Sequence, residues 1–235
     1  MKNKLLKKNK ILYWIYKIQK IYKNKSSGFH YGEFAEDIAI NRIFKNKYNG
    51  NYLDIGAYHP FKGSLTYLLY KKGWNGTNID ISKTSIDLFN ISRPKDNNIN
   101  CAIGKDSGKT YYFENSPINQ QNSLFQKNQK QLKIEIEIRS VNKLIEEYKL
   151  DLPDYINIDT EGNEIDVLNG IDFSKIKPSL LTIEDNSFNI YSTSKKEKIQ
   201  IMEKNGYQLI NIIGVTMFFF DKEHIDGILD QIEIK

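Results

Sequence analysis

Residues 51–64, NYLDIGAYHPFKGS, most constrain what this chain can fold into. The first five residues form a short run rich in β-forming side chains, which predicts a strand. Gly56 and Ala57 follow as a small-residue turn that allows close approach to the backbone, and a helical pattern of leucines starts at Ser64. A strand, a small-residue turn and a helix in this order are typical of the opening of a nucleotide-binding, Rossmann-like sheet.

An acid ends the second predicted strand, which spans residues 77–81. Asp80 lies 26 residues beyond Asp54, an interval that fits a strand-helix-strand unit. A carboxylate at this place accepts both ribose hydroxyls of a nucleotide, and the alternative role is that of a helix N-cap. The turn lacks the second and third glycines of Gly-x-Gly-x-x-Gly, so a purely structural turn also remains open.

The rest of the chain continues to alternate helices and strands, which argues for a parallel sheet with right-handed crossovers. Residues 207–220 predict a closing antiparallel hairpin, and residues 109–113 and 132–138 predict an inserted one. The polar connector at residues 114–131 is either a lid over the site or a disordered loop. A helix is predicted at residues 33–44, with Phe34, Ile38 and Phe44 facing the core. Further helices are predicted at residues 64–72, 83–92, 141–148 and 195–205, together with a short one closed by Gly170. The other predicted strands are residues 99–103, 155–159 and 179–183.

The basic charge of the chain is confined to its start. Residues 1–28 contain nine lysines and no acid, so the net charge of +5 for the whole chain becomes −4 for residues 29–235. A mildly acidic body lacks the clustered Lys and Arg of a nucleic-acid-binding surface. The single cysteine, Cys101, excludes an internal disulfide and a cysteine-rich zinc site. With no spanning apolar run and no signal peptide, we expect a cytoplasmic protein.

The basic start also carries an amphipathic helix pattern. Apolar side chains recur at every third or fourth position and form a stripe: Ile11, Ile15, Ile18 and Tyr22. Lysines lie on the opposite face of the helix. Two alternatives remain open, a peripheral helix on the inner face of an anionic membrane and a helix packed on the domain or on a second subunit. We therefore divide the chain into a basic amphipathic N-terminal helix, residues 1–28, and a body of residues 29–235.

Four short motifs occur together and in a fixed order: DIGA at residues 54–57, GWNG at 73–76, NIDTEGNE at 157–164 and VLNG at 167–170. Over residues 31–221 the sequence thereby resembles the FkbM-type methyltransferases. The resemblance implies a class I S-adenosylmethionine-dependent fold. This is an α/β, Rossmann-like domain with a seven-stranded, mostly parallel sheet and a C-terminal antiparallel hairpin.

The same resemblance implies cofactor contacts at the strand ends. Asp54, Gly56 and Ala57 are expected beside the methionine part of S-adenosylmethionine, and Asp80 beside its ribose. After the third strand, Asn100, Cys101 and Ala102 are expected beside the adenine. The other expected cofactor contacts are Tyr58 and Ser64 after the first strand and Ile81 at the end of the second. Many relatives have Asn-x-Gly after Gly-Ala where this chain has Tyr-His-Pro, and Ser64 and Thr66 are expected to replace that asparagine in part.

Methyl transfer to a hydroxyl also needs a group that accepts the hydroxyl proton. Asp159, Glu161 and His59 are the candidate catalytic residues, although His59 has the alternative role of shaping its turn. Acids from two neighbouring strand ends suit Mg²⁺, which would lower the pKa of the hydroxyl, and the candidate ligands are Asp159, Glu184 and Asp185. Capping of the next helix by the acids after Asp159 is the alternative to a metal site.

The expected function is S-adenosylmethionine-dependent O-methylation of a sugar in a surface glycan, a glycolipid or a related small molecule. One alternative is a nicotinamide-dependent Rossmann oxidoreductase, which the missing glycines of the turn disfavour. The other is a non-catalytic membrane-surface adaptor with a vestigial cofactor pocket. The intact set of Asp54, Asp80 and Asp159 disfavours the adaptor.

Overall fold

The computed structural model describes residues 9–23, 29–186 and 197–223 of the chain. The predicted end of the first helix at Ser26, Ser27 and Gly28 and the predicted start of the last helix at residues 195 and 196 lie outside the described residues. In chain order the elements are α1 (Lys10–Lys23), α2 (Glu36–Ile43), β1 (Asn51–Ile55), α3 (Tyr67–Lys71), β2 (Asn75–Asp80), α4 (Lys83–Ser92), β3 (Asn97–Asn100), β4 (Ala102–Ile103), β5 (Gly108–Glu114), β6 (Leu132–Arg139), α5 (Val141–Tyr148), β7 (Tyr155–Ile158), α6 (Glu164–Asn169), β8 (Leu180–Glu184), α7 (Glu197–Lys204), β9 (Tyr207–Ile213) and β10 (Thr216–Asp221).

Seven strands within these residues form one sheet, in the order β3-β2-β1-β7-β8-β10-β9. The first five are parallel, and β10 runs antiparallel to both of its neighbours. This confirms the predicted Rossmann-like class I architecture with its C-terminal antiparallel hairpin. The inserted hairpin is also present, as β5 and β6 pair antiparallel and form a second small sheet with β4.

The main sheet is covered by helices on both faces, as parallel strands generally are. All four residues of β7 are buried. On one face Leu144, Val167 and Met202 from α5, α6 and α7 complete an apolar layer, and on the other Ile40 and Leu69 from α2 and α3 do the same. The carboxyl ends of the parallel strands are thereby held rigidly at one edge.

Two predicted elements differ in extent from the structure. Helix α3 starts at Tyr67 rather than Ser64, because the hydroxyl of Thr66 binds a buried side chain, donating to Asp54 Oδ2 at 2.7 Å. The predicted strand at residues 99–103 is divided at Cys101, because the chain there leaves the main sheet: β3 pairs with β2, whereas β4 pairs with β6 in the second sheet.

The predicted core face of α2 is wrong for two of its three residues. Phe34 and Ile38 are 51% and 43% exposed, whereas Glu36 and Asp37 are buried. Ala35 precedes the helix with a φ of 64°, so α2 starts three residues later than predicted and turns its acids inward. Both carboxylates accept backbone N–H groups of the preceding turn.

Helix α1 packs on α4 of the body. The hydroxyl of Tyr13 lies 2.6 Å from Thr84 Oγ1, and Ile21 packs with Leu88. Packing on the domain, one of the two predicted alternatives, is therefore observed, although the face used is not the predicted apolar stripe. Among the described residues, no helix combines the length and the hydropathy of a transmembrane span.

Candidate active site

A cleft opens at the carboxyl edge of the parallel strands. Ligands of open α/β sheets bind at this edge, where the strand order reverses. The reversal lies between β1 and β7, the strands that precede Gly56 and Asp159. Across the sheet the cleft is lined by Cys101 and Ala102 beyond β3, Asp80 on β2, Gly56 after β1, Asp159 after β7 and Glu184 on β8.

The turn after β1 packs directly against the turn after β7. A Cβ atom on Gly56 would lie 1.6 Å from the carbonyl oxygen of Asp159, and the φ of Gly56 is 84°. Glycine is therefore needed here for contact within the protein as well as for its backbone conformation. The N–H groups of Gly56 and Ala57 both donate to the carbonyl of Ile79, at 2.9 and 3.0 Å. Because these amides are engaged, the turn does not offer them to a pyrophosphate.

Asp80 holds the turn after β1 in place. Its Oδ2 accepts the N–H of Tyr58 at 2.8 Å, and its Oδ1 accepts the N–H of Ser82 at 2.7 Å. Ser82 is itself the N-cap of α4, so Asp80 is not the cap. Burial raises the pKa of Asp80 to about 6, so the carboxylate is ionised at neutral pH and retains free lone pairs towards the cleft.

Asp54 lies deeper than Asp80, at the wall of the cleft. Its two oxygens accept hydrogen bonds from Asn157 Nδ2 at 2.9 Å and from Thr66 Oγ1 at 2.7 Å. Burial raises the pKa of Asp54 above its usual value. Thr66 therefore acts on the cleft only through Asp54, whereas Ser64 lines the cleft itself.

Arg93 is a buried residue that the sequence analysis missed. Its guanidinium donates to Asp96 Oδ2 at 2.9 Å, to Thr66 Oγ1 at 3.1 Å and to the hydroxyl of Tyr52. The side chain has no exposed surface. Arginines are few among the 34 basic residues of this chain. The position of Arg93, directly before Pro94 at the end of a predicted helix, was the available sign that this arginine has a structural role.

His59 does not face the cleft, which contradicts its expected role as a base. The ring is fully buried, and its Nδ1 accepts the N–H groups of Phe61 and Lys62 at 3.1 and 3.0 Å. Nε2 therefore carries the proton and lies 3.4 Å from the carbonyl oxygen of Lys20 on α1. Burial lowers the pKa of His59 to about 4, so the ring is neutral and shapes its turn, the alternative role.

The end of the cleft beyond β3 is mostly apolar. Ile81, Cys101 and Ala102 line it, and burial raises the pKa of the Cys101 thiol to about 12. Asn100, expected in the same group, lies outside the lining. Its Nδ2 donates to the carbonyls of Asp80 and Ile81, both at 2.9 Å, and so braces the end of β2.

Three acids converge at the opposite side of the cleft. Asp159, Glu161 and Glu184 bring carboxylate oxygens within 4.8 Å of one another. Burial, followed by the charge of Glu184, raises the pKa of Asp159 well above its usual value. Burial also raises the pKa of Glu184. Glu161 is partly neutralised by Lys127, whose Nζ lies 2.7 Å from its Oε2.

Asp185 does not join this cluster, although the sequence analysis places it among the metal ligands. Its side chain lies in a neighbouring groove, 3.9 Å from Nζ of Lys198. Glu164 likewise stays apart, because its Oε1 accepts the N–H groups of Thr160 and Gly162 at 3.2 and 2.8 Å. Glu164 therefore braces the turn before α6, and neither Glu161 nor Glu164 caps this helix, which has no side-chain hydrogen bond at its N-cap Asn163.

The polar connector at residues 114–131 crosses the cleft. Asn119, Gln120 and Asn122 line it, and Gln120 Nε2 donates to Glu33 Oε1 at 2.5 Å on the opposite rim. Ser123 Oγ donates to the carbonyl of Glu161 at 3.1 Å. The connector is therefore an ordered cover rather than a disordered loop.

A buried acid at the cleft wall was not singled out from the sequence as a site residue. Glu36 lines the cleft, accepts the N–H of Phe34 at 2.9 Å and lies 3.3 Å from Thr216 Oγ1. Among the described residues it forms no ion pair. Only Phe34, Ile38 and Phe44 are predicted from the sequence as core residues of this helix, so the pattern gives no sign of a buried carboxylate at Glu36.

Comparisons with solved structures give distant matches. The SAM-dependent methyltransferase from Agrobacterium tumefaciens is 14% identical, with a TM-score of 0.40 over 81% of this chain and 64% of that chain. The 16S rRNA methylase ArmA is also 14% identical, with a TM-score of 0.35 over 79% of this chain and 82% of that chain. The present chain thus spans less than two thirds of the Agrobacterium protein. No curated protein sequence matches it significantly.

The family comparison covers both turns of the cleft. The model of the methyltransferase FkbM domain matches residues 54–209, about two thirds of the chain. The matched segment starts at Asp54 and includes Asp80, Asp159 and Glu184. The chain is therefore a member of the methyltransferase FkbM family.

Proposed function

We propose that this protein transfers the methyl group of S-adenosylmethionine to a hydroxyl of a sugar, in a surface glycan, a glycolipid or a related small molecule. The observation that carries the proposal is the continuity of one cleft from Asp80 to the Asp159–Glu184 pair. In this proposal the β2 side of the cleft binds the nucleotide and the β7–β8 side accepts the proton, with β1 between them in one sheet. Such an arrangement fixes two reactants side by side, which is the main requirement of an in-line displacement.

The residues of the cofactor end fit S-adenosylmethionine. Asp80 offers carboxylate lone pairs to the ribose hydroxyls, and Ile81, Cys101 and Ala102 offer an apolar wall to the adenine. Glu36, at the wall of the same cleft, offers a buried carboxylate to the ammonium group of the methionine part. When bound, the cofactor supplies an electrophilic methyl group on a sulfonium.

Asp159 and Glu184 supply the base. Two carboxylates this close share a proton, and the pair keeps one negative charge that can accept the proton of a hydroxyl. A carboxylate with a raised pKa is a stronger base than an exposed one, which suits a weakly acidic sugar hydroxyl. Glu161 is held by Lys127 at the outer rim and contributes charge rather than proton transfer.

The lining of the cleft supports a neutral polar acceptor. Among the described residues it includes amide side chains from the connector, Asn119, Gln120 and Asn122, and no lysine or arginine. Phe34 presents a half-exposed ring at the same rim, and an aromatic face packs well against the C–H groups of a sugar. A polyanion such as RNA would require basic groups at this place.

A divalent cation is a second candidate, favoured by the close approach of three carboxylates. Asp159, Glu161 and Glu184 offer hard oxygen ligands of the kind Mg²⁺ takes. This set differs from the expected one, since Asp185 pairs with Lys198 instead. Activity that a chelator abolishes and Mg²⁺ restores would favour a metal-assisted reaction over a direct carboxylate base.

The two rival functions fit the cleft less well. A nicotinamide cofactor needs free amides at a helix N-terminus for its pyrophosphate. Here the amides of Gly56 and Ala57 bind Ile79, and helix α3 starts only at Tyr67. A vestigial pocket in an adaptor protein has no need of ionised acids at both of its ends.

The test is incubation of the protein with methyl-labelled S-adenosylmethionine and fractions of glycans, glycolipids and nucleotide sugars, followed by identification of the labelled product. We expect an alkali-stable methyl ether on a sugar. Calorimetry with S-adenosylmethionine and with NAD is done in parallel, and we expect binding of the first only. Label in RNA or protein alone would refute the sugar acceptor, and preferential binding of NAD would refute the methyltransferase function.

A further inference from the structure

Helix α1 presents a large apolar face to solvent. The outer face, as we call it, consists of Ile11, Trp14, Ile15 and Tyr22, which are 72%, 56%, 51% and 69% exposed. Trp14 and Ile15 lie three and four residues after Ile11, and Tyr22 lies seven residues after Ile15, so their side chains share one side of the helix. From Ile11 to Tyr22 this stripe is about 17 Å long. Contiguous apolar surface of this kind marks an interaction site rather than scattered surface residues.

The opposite face of α1 is fixed to the body, so the outer face cannot simply turn inward. Tyr13 bonds with Thr84, Lys17 Nζ lies 3.5 Å from Asp87 Oδ2, and Ile21 packs in a cluster with Leu88 and Ile118. The contact with the body thus uses the lysine-bearing side of the helix. This leaves the apolar side with no covering partner among the described residues.

The charge of the surrounding chain favours an anionic occupant. Nine lysines and no acid lie in residues 1–28, whereas the remaining residues carry a net charge of −4. A second copy packed face to face on the same helix would bring two sets of nine lysines together, which is unfavourable. Lys17 is turned towards Asp87 of the body, and an anionic lipid surface accepts the remaining lysines together with the apolar side chains. Trp and Tyr favour the headgroup region of such a surface.

We infer that the outer face of α1 docks on a membrane containing anionic lipid, with the helix lying between the lipid and the body. The same helix borders the active site. Ile21 packs with Tyr58 and Phe61 of the cofactor turn and with Ile118 of the connector, and the carbonyl of Lys20 faces His59. Docking therefore holds the cleft beside the lipid surface, whatever the methyl acceptor is.

The experiment measures binding of the full chain to mixed phosphatidylglycerol–phosphatidylcholine vesicles and to pure phosphatidylcholine vesicles, by flotation. We expect binding to the anionic vesicles at low salt and at least about tenfold weaker binding at high salt or without phosphatidylglycerol. Ile15→Ser should weaken the binding by about tenfold. Ile210→Ser, an equal change at an exposed isoleucine of β9, should leave it unchanged. S-adenosylmethionine binding and the thermal melt show that both variants are folded.

Tryptophan emission gives an independent readout. The chain has two tryptophans, Trp14 on the outer face and Trp74 in the core at 3% exposed. Anionic vesicles should shift the emission of the protein to shorter wavelength, and Trp14→Phe should abolish the shift. Failure to bind anionic vesicles at low salt would overturn the inference. So would a concentration-dependent dimer that Ile15→Ser dissociates in the absence of lipid.

Discussion

The two ends of the cleft differ in how their acids are held. At the cofactor end, both oxygens of Asp54 and both oxygens of Asp80 accept hydrogen bonds from neighbouring groups. At the acceptor end, Asp159 and Glu184 lie against each other with one negative charge between them, and the nearby Glu161 adds a second negative charge. Hydrogen bonds therefore fix the acids of the cofactor end before any ligand binds, whereas the fold holds the acids of the acceptor end together although their charges repel.

This difference matches the two tasks that we assign to the cleft. A binding site for an unchanging cofactor gains from fixed donors and acceptors, because less freedom is lost on binding. A proton-accepting site gains from unfavourable charge, because a crowded carboxylate holds a proton more strongly. We therefore expect substitutions at the cofactor end to change binding and substitutions at the acceptor end to change turnover.

Gly56 joins the two ends, so its substitution should have the largest effect. In Gly56→Ala the new Cβ would overlap the carbonyl oxygen of Asp159, and neither backbone turn can move without disturbing β1 or β7. We expect either no folded protein or a loss of more than about 3 kcal/mol in the free energy of unfolding, measured by urea denaturation.

Gly206→Ala is the matched control. Gly206 has a similar φ of 88°, but a Cβ there would meet nothing within 4 Å. This variant carries the cost of the backbone conformation alone, about 1 kcal/mol. Equal destabilisation by the two substitutions would mean that contact between the two turns contributes nothing.

Arg93 supports the cofactor end only, and its substitution should have the next largest effect. Arg93→Met leaves Asp96 charged and buried, so we expect a loss of about 3–5 kcal/mol in the free energy of unfolding. Arg42→Met, at an exposed arginine of α2, should change it by less than about 1 kcal/mol. Where Arg93→Lys folds, it should weaken cofactor binding, since one ammonium cannot reach Asp96, Thr66 and Tyr52 together. A chemical denaturation curve unchanged by Arg93→Met would refute this role.

The contrast between Asp80 and Arg93 shows what sequence can and cannot predict here. Strand alternation and the 26-residue interval place Asp80 at the end of β2. The acids of β7 and β8 are then expected at the same edge of the sheet, because parallel strands share a direction. The burial of Arg93 depends on Asp96, Tyr52 and Thr66, which come together only in three dimensions. Sequence spacing does not encode such a network.

His59 and Glu36 illustrate the same limit in opposite directions. The sequence brings His59 near the cofactor turn, but a helix that lies 39 residues earlier covers its ring. Glu36 is not among the core residues that the helical pattern predicts, and the left-handed Ala35 at the start of α2 turns it inward. In both cases a local backbone conformation or a distant element decides whether the side chain reaches the cleft.

Asp159 should control turnover with little effect on cofactor binding. Asp159→Asn keeps the shape but removes the shared negative charge, so we expect turnover on the sugar acceptor to fall about a hundredfold. Cofactor affinity should stay within a few-fold. Asp185→Asn, at the acid of the neighbouring groove, should retain most of the activity. Full activity of Asp159→Asn would mean that the acceptor end does not supply the base.

The smallest effect expected is a pH dependence of cofactor binding. Burial raises the pKa of Asp80 to about 6, with a further contribution from the charge of Asp54, whereas an exposed aspartate titrates near pH 4. The folded protein without cofactor therefore binds the proton more tightly than the unfolded chain, and the contribution of Asp80 to stability falls as pH rises from about 4 to about 6.

Cofactor binding should respond in the opposite direction, because ionised Asp80 accepts the ribose hydroxyls. We expect the affinity for S-adenosylmethionine to be about tenfold lower at pH 5 than at pH 7, measured by calorimetry. His59 does not titrate between these values, as its pKa is about 4. Asp80→Asn should weaken binding at pH 7 by more than about 1 kcal/mol and remove most of the pH dependence. A variant that binds weakly but keeps the full pH dependence would transfer the effect to Asp54, whose pKa is also raised by burial.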